Sequence, residues 1–237
     1  MTITKNINIL DIYIDKINKI NSIDNTHLLY DNNVRLISNK NNRNIPIYKL
    51  DDKKLKYPNK IIITGREQRK KIILIEEIIN KSNKKSNGLF ISSKEDTYYY
   101  FKDKYPSANL VHISDYDLID EYIIDANYIV VEIARSDSNF WHNDLMNKLL
   151  NIDKLLVVST ENILKIPTSV NLIFDYIYLL VERNNLYKKR LYVIYGKLFE
   201  SLEHFINTFT ILTQNNRVMV INNIIKNDNL IKRLNWF

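Results

Sequence analysis

Residues 61–72 carry the residue types that bind phosphate, and they read Ile-Ile-Ile-Thr-Gly-Arg-Glu-Gln-Arg-Lys-Lys-Ile. Against the phosphate-loop pattern G-x-x-x-x-G-K-[ST], Gly65 and Lys71 match. Lys70 replaces the second glycine, and Ile72 replaces the hydroxyl residue. The pattern needs its glycines so that backbone N–H groups can surround the phosphates, and its hydroxyl ligates Mg²⁺. These residues alone therefore favour an ordinary strand-to-helix turn with solvated basic side chains.

A second segment places a carboxylate at the end of an apolar run. Residues 128–131 are apolar, and Glu132 follows them directly. In a nucleotide hydrolase an acidic residue at this point holds Mg²⁺ and polarises water, usually as an aspartate followed by a second acid. Here the next residue is Ile133. From the residues alone, the better interpretation is a strand-end carboxylate that faces solvent.

Both segments lie in a region where short strands and helices alternate. Apolar runs predict strands at 61–63, 89–91, 110–113, 128–131, 155–158 and 173–181, and the segments between them are typical of helices of about ten residues. This alternation indicates βαβ units and an α/β fold with a largely parallel sheet. In such a sheet the carboxyl ends of the strands are the place for binding or chemistry.

The flanking sequence differs from this region. Helical spacing predicts an amphipathic helix over 8–20, and residues 22–58 are polar and irregular. After the alternating region come helices near 185–195 and 200–212, a strand at 218–221 and a polar tail. The sequence therefore predicts an N-terminal helix and polar extension at 1–58, one α/β domain at 59–225, and a C-terminal tail at 226–237.

Composition excludes several kinds of site. The chain has 237 residues and no cysteine, which excludes disulfides, thiolate metal centres and cysteine nucleophiles. Its four histidines show no H-x-x-x-H spacing, and only three glycines are present to build phosphate loops. We find no secretory signal and no apolar run long enough to span a bilayer, so we expect an intracellular protein that is not secreted.

Residues 155–223 add a longer pattern. A strand that ends in Ser-Thr-Glu is followed by Ile166-Pro167, Phe174-Asp175-Tyr176, Lys189-Arg190-Leu191-Tyr192, Tyr195-Gly196-Lys197-Leu198-Phe199 and Thr213-Gln214-Asn215. In this order and spacing the chain resembles the poxvirus-type genome-packaging ATPases of large DNA viruses, which belong to the FtsK–HerA superfamily. The resemblance extends back through the two segments above, so that it covers about residues 59–223.

The resemblance implies a P-loop NTPase-like fold of the RecA/FtsK–HerA type, with a mostly parallel sheet flanked by helices and an N-terminal extension. It places Gly65 and Lys71 in the Walker A phosphate loop. Glu132 falls at the Walker B acid, and Glu161 falls at the position of the sensor glutamine. Asn171 replaces the arginine that follows the family's Pro-Pro element. A recognisable frame without its catalytic residues is typical of a pseudoenzyme.

The function predicted from this resemblance is that of a degenerate packaging ATPase, which serves as a non-catalytic component of packaging or virion assembly. We then expect no cofactor. The expected partners are copies of itself or an active packaging ATPase, and viral DNA. The expected location is the host cytoplasm, in a viral factory, or the virion. The alternative is an active, highly diverged motor that uses ATP and Mg²⁺, with Lys71 on a phosphate and Glu132 as the Mg²⁺ or water ligand.

A third hypothesis comes from the positive charge. The chain has 34 Lys and Arg against 27 Asp and Glu, which gives a formal charge of +7. A basic nucleic-acid-binding module would use the basic residues in and after the phosphate-loop segment, namely Arg66, Arg69, Lys70, Lys71, Lys81, Lys84 and Lys85. Runs of basic residues are usually only the solvated face of a helix or loop. That interpretation competes with nucleic-acid binding here.

Overall fold

The computed structural model describes residues 34–38, 44–51, 59–82, 87–134, 140–141, 143–225 and 233–237. The chain divides into two units, Met1–Val34 and Arg35–Phe237. Every described residue except Val34 belongs to the second unit. The helix predicted over residues 8–20 lies outside the described residues, and so do Lys84 and Lys85.

One sheet of ten strands forms the frame of the described part of the chain. In chain order the strands are β1 (Val34–Ser38), β2 (Asn44–Lys49), β3 (Lys60–Thr64), β4 (Gly88–Ser92), β5 (Asn109–His112), β6 (Tyr128–Ile133), β7 (Leu155–Thr160), β8 (Tyr176–Leu179), β9 (Met219–Asn222) and β10 (Leu234–Trp236). Their order across the sheet is β1-β2-β10-β9-β8-β3-β7-β6-β4-β5. The strands from β8 to β5 run parallel, whereas β9 is antiparallel to β8 and to β10. The predicted mostly parallel sheet is confirmed.

Helices cover both faces of this sheet. They are α1 (Gln68–Lys81), α2 (Glu95–Lys104), α3 (Tyr116–Asp125), α4 (Asp144–Asn151), α5 (Thr168–Asn171), α6 (Asn185–Tyr195) and α7 (Leu202–Thr213). Ile61 and Ile63 of β3 pack in the apolar cluster of α1 and α2, while Ile62 packs in the cluster of α3, α4, α6 and α7. Because both faces are covered, the central strands carry continuous apolar runs, and polar residues come mainly near their carboxyl ends. Among the described residues, no helix is long and apolar enough to cross a membrane.

The structure differs from the sequence prediction at both flanks. Residues 22–58 were expected to be irregular, yet they contribute β1 and β2 to the sheet. The expected polar tail contributes β10, which lies between β2 and β9, and Trp236 and Phe237 are buried. Asn235 of β10 pairs with Tyr48 of β2, so the contact that forms this strand joins distant parts of the chain. Local sequence patterns carry no signal of such a pairing.

Asp175 fixes the start of the strand that leads to the candidate site. Its Oδ2 accepts a hydrogen bond from the backbone N–H of Lys60 at 2.8 Å, and its own N–H donates to the Lys60 carbonyl at 2.8 Å. These bonds hold the beginning of β3 against the beginning of β8. Asp175 therefore has a structural role at the start of these two strands.

Candidate functional site

A row of polar residues crosses the sheet near the carboxyl ends of its central strands. Ser92 of β4 is the register neighbour of Glu132 of β6, which in turn neighbours Ser159 of β7. Neighbouring residues in register point to the same face of a sheet, and Ile63, next in the row, packs against α1. The polar row therefore lies on the face that α1 and α2 cover.

The connection from β3 to α1 is short. Helix α1 begins at Gln68, so that residues 65–67 alone join the strand to the helix. The N–H of Gly65 donates to the Thr160 carbonyl at 3.2 Å, and is thus already used in the sheet. Glu67, at the N-cap position, makes no side-chain cap hydrogen bond. The turn thus has a single glycine, and the N–H of that glycine is not available to a phosphate.

Lys71 is the most unusual residue of the site. Its side chain is fully buried at 0% exposure, and its Nζ has no hydrogen-bond partner. Burial, and secondly the positive charge of Lys94, lower the pKa of Lys71 to about 8, although the charges of Glu132 and Glu161 act in the opposite direction. The expectation that this lysine is solvated is wrong, because the amphipathic periodicity of α1 turns Lys71 towards the sheet with Leu74, Ile75 and Ile78.

The other residues of the degenerate phosphate loop lie nearer the surface. Arg66 and Arg69 are exposed. Lys70 is half-buried, and this burial lowers its pKa, against the charge of Glu67. Ile72 packs against the apolar cluster of α1 and the sheet, so that it contributes an apolar contact where the pattern requires a hydroxyl. Of the four basic residues, only Lys71 points into the protein.

Glu132 is buried and fully engaged, with 3% of its surface exposed. Its Oε1 accepts a hydrogen bond from Gln68 Nε2 and lies 3.5 Å from Lys94 Nζ. Its Oε2 accepts from the Ser92 hydroxyl at 2.9 Å. The expectation of a solvent-facing carboxylate is wrong, because α1 and the loop after β4 cover the end of β6.

Lys94 links both of the acidic residues that the sequence singled out. Its Nζ donates to Glu161 Oε1 at 2.7 Å, lies 3.5 Å from Glu132 Oε1, and donates to Gln68 Oε1 at 3.4 Å. Burial lowers the pKa of this lysine, but the hydrogen bond to Glu161 and the charge of Glu132 outweigh that effect and raise it overall. The backbone N–H of Lys94 donates to Ser92 Oγ at 3.0 Å, which anchors the loop.

Sequence reasoning missed Gln68, Ser92 and Lys94. The position of Ser92 at the end of β4 was an available signal, because the carboxyl ends of parallel strands meet at one edge. Gln68 lies within the segment that was compared with the phosphate loop, but the pattern assigns no role to its position. Nothing local distinguishes Lys94 from the other lysines of the chain.

The fold implies Mg²⁺, and the residues present do not fit it. Mg²⁺ prefers octahedral oxygen ligands, in P-loop enzymes a loop hydroxyl and a Walker B carboxylate. Ile72 offers no oxygen, and both oxygens of Glu132 are engaged by Gln68, Ser92 and a lysine ammonium. Within the described ranges, no group of three or more His, Asp or Glu side chains could hold a metal ion.

The basic residues that the structure describes do not form one patch. Arg66 lies 3.6 Å from Glu182 and stacks over the ring of Tyr187, with 5.6 Å between its guanidinium carbon and the ring centroid. Lys81 Nζ lies 4.0 Å from the ring centroid of Phe237. Arg66 precedes α1 and Lys81 ends it, and a helix of 14 residues is about 20 Å long. These contacts favour local structural roles.

Asn171, at the position of the family's arginine, is a buried structural residue. Its Oδ1 accepts a hydrogen bond from the buried hydroxyl of Tyr195 at 3.0 Å, and 6% of its surface is exposed. Burial raises the pKa of Tyr195, so this phenol remains a donor in the folded protein. The pair joins α5 to α6.

Replacing Tyr195 with phenylalanine tests this pair. The buried Oδ1 of Asn171 would lose its donor, so we expect the free energy of unfolding to fall by about 1–2 kcal/mol. Urea denaturation followed by circular dichroism measures the change. Tyr192→Phe on the same helix is the control and should change stability by less than about 0.5 kcal/mol. Equal effects of the two substitutions would show that the hydrogen bond between Tyr195 and Asn171 does not contribute to the free energy of unfolding.

Strand order and the turn at Gly65 define the class of fold. β3 lies inside the parallel part of the sheet and leads through Gly65 into α1, while β7 separates β3 from the strand that carries Glu132. This is a P-loop NTPase-like α/β arrangement, as predicted. Its site holds an ion-pair network of Glu132, Glu161 and Lys94 at the edge where such folds bind nucleotide.

Comparison with known proteins gives likenesses in structure only. No family model and no curated protein matches the chain. The genome-packaging NTPase B204 from Sulfolobus turreted icosahedral virus 2, in complex with ATP-gammaS, matches with a TM-score of 0.49 and 10% identity over 79% of this chain and 97% of that chain. B204, the DNA-packaging ATPase from Sulfolobus turreted icosahedral virus, has a TM-score of 0.47 and 15% identity, over 70% of this chain and 93% of that chain. EssC (ATPases 2 and 3) from Geobacillus thermodenitrificans has a TM-score of 0.42 and 8% identity, over 68% of this chain and 38% of that chain.

Proposed function

We propose that this protein is a catalytically inactive relative of viral DNA-packaging ATPases, which acts as a structural component of genome packaging or virion assembly. The order of sequence elements over residues 59–223 supports the packaging relationship. One structural observation carries the inactivity: Glu132, the residue at the Walker B position, is buried and already accepts from Gln68, Ser92 and Lys94.

Hydrolysis of a nucleotide requires groups that this site lacks. The attacking water must contact a carboxylate or an equivalent acceptor, and charge on the transferred phosphoryl group must be stabilised by metal and basic groups. Glu132 is 3% exposed, accepts from Gln68 and Ser92 and is ion-paired with Lys94, so an attacking water would compete with these groups for it. The arginine position holds Asn171, which is buried in a bond to Tyr195. The frame of the fold is therefore intact while its catalytic contacts are replaced.

A structural component needs surfaces that partners cover. Leu186 and Val193 on α6 are 59% and 83% exposed, and Leu172 at the end of α5 is 65% exposed. Large apolar side chains at such exposure are typical of contact surfaces when they cluster. We propose copies of this chain or an active packaging ATPase as the partner, in the host cytoplasm or in the virion.

Phosphate release from ATP and Mg²⁺ tests the proposed inactivity. The wild type should release phosphate at the rate of buffer alone, with and without double-stranded DNA, and Lys71→Ala and Glu132→Gln should not change that rate. DNA-stimulated release that both substitutions abolish would overturn the proposal. The packaging role is tested separately in producing cells, where loss of the protein should reduce the fraction of particles that contain DNA.

An active, diverged motor is the second candidate, and one observation favours it. Lys71 Nζ is buried without a hydrogen-bond partner beneath the N-terminus of α1, where backbone N–H groups attract anions. A motor would need ATP binding that depends on this amine and strengthens with Mg²⁺. Calorimetric titration of ATP into wild type and Lys71→Ala, with and without Mg²⁺, measures both properties.

A further inference from the structure

The position of Lys94 is that of a cation held between two carboxylates. Its Nζ lies 2.7 Å from Glu161 Oε1 and 3.5 Å from Glu132 Oε1. Glu132 is 4% exposed at its side chain, and Lys94 and Glu161 are 28% and 31% exposed, so the pairs are largely shielded from water. Charge-assisted bonds of this length are among the stronger hydrogen bonds in proteins.

The charges of the site already balance. Glu132 and Glu161 carry two negative charges, and Lys94 and Lys71 carry two positive charges when both amines are protonated. A divalent cation entering between the carboxylates would meet two ammonium groups, and like charges at short range repel strongly in a shielded site. It would also have to break the 2.7 Å bond between Lys94 and Glu161.

We infer that the Lys94 ammonium is a built-in cation, which takes the place of a divalent metal ion between Glu132 and Glu161. The site therefore excludes divalent metal. This inference concerns the same site as the proposed function. It rests on the proposed function to the extent that both are argued from the contacts of Glu132.

Titration with Mn²⁺ alone, followed by the electron paramagnetic resonance signal of the free ion, tests the inference without nucleotide. The wild type should show no saturable site at submillimolar Mn²⁺. Lys94→Met removes the ammonium and leaves two carboxylates, so it should bind Mn²⁺ at least about tenfold more tightly than the wild type. Adding Glu132→Gln to Lys94→Met should remove the gain.

Lys148→Met is the matched control. It also removes one positive charge from an ion pair with an acidic residue, Asp120, but at an exposed place on α4. Mn²⁺ binding should stay at the wild-type level in this variant. Lys94→Gln, a second neutral substitution, is measured beside Lys94→Met, and circular dichroism establishes that each variant is folded.

Two results would overturn the inference. One is a saturable Mn²⁺ site in the wild type that Glu132→Gln abolishes. The other is a folded Lys94→Met or Lys94→Gln protein with no gain in Mn²⁺ binding. The first result needs no substitution of Lys94, so the inference can be overturned even if Lys94→Met and Lys94→Gln both prevent folding. Neither result depends on hydrolysis, so failure of this inference is distinct from failure of the proposed function.

Discussion

Replacing Lys71 with methionine is expected to stabilise the protein by about 2–3 kcal/mol near pH 7. Methionine keeps most of the side-chain length and removes a buried ammonium that has no hydrogen-bond partner. The pKa of Lys71 falls from 10.5 to about 8 on folding. Protonation of this amine is therefore about 3 kcal/mol less favourable in the folded protein than in the unfolded chain. Most substitutions of fully buried residues destabilise, so a gain here is a specific expectation.

The gain should shrink as the pH rises. Between about pH 8 and pH 10.5 the unfolded chain keeps its proton on Lys71 while the folded protein has lost it, so the stability contributed by this group rises with pH. The penalty in the wild type is fully present below about pH 8 and is relieved by about pH 10.5. The difference between variant and wild type therefore falls over this range.

Urea denaturation of both proteins near pH 7 and near pH 10 measures these changes. Several tyrosines also titrate at high pH, but they are present in both proteins and cancel in the difference. Arg69→Met, an exposed position two residues earlier on α1, is the control and should change stability by less than about 0.5 kcal/mol. A Lys71→Met protein that is less stable than the wild type at both pH values would contradict the account of this residue.

Replacing Gly65 with alanine is expected to destabilise the protein by about 2–4 kcal/mol. Gly65 has a φ of +153°, a conformation that residues with a Cβ rarely adopt. An added Cβ would lie 2.6 Å from the Cβ of Leu180, which cannot move without its strand. The glycine that the phosphate-loop pattern requires is thus required here by packing between β3 and the end of β8.

Thermal and urea unfolding of Gly65→Ala measure this effect. Arg66→Ala is the control, since it alters the same turn without a new contact and removes the ion pair of the exposed Arg66 with Glu182 and its contact with the Tyr187 ring. We expect it to lower stability by less than about 1 kcal/mol. A Gly65→Ala protein as stable as the Arg66→Ala protein would mean that the turn relaxes freely and that its glycine is not needed for packing.

The central part of the fold could be predicted from the sequence because its signals are local. The apolar runs around Ile62, Val130 and Val157 each became a strand, and the helical spacing after Gly65 became α1. β2 and β10 could not be predicted, because each exists through pairing with a strand that is distant in the sequence. Periodicity and propensity depend on residues that are close in the sequence, so they do not indicate pairing between distant strands.

The candidate site could be predicted in part. Gly65, Glu132 and Glu161 could be placed at the carboxyl ends of central strands, and Lys71 in the first turn of the helix that follows β3. Their surroundings could not be predicted, because burial of Glu132 depends on Gln68 and Lys94 from two other segments. The same holds for Lys71, because its pKa is lowered first by burial and then by the charge of Lys94, which belongs to another segment.

The central claim is that this protein has the frame of a nucleotide hydrolase without its chemistry. The most direct measurement is a single-turnover experiment, in which protein in large excess over radiolabelled ATP is incubated with Mg²⁺ and phosphate release is followed for hours. Excess protein allows even weak binding to show one round of reaction. The account predicts release at the rate of buffer alone; faster release that Glu132→Gln abolishes would contradict it.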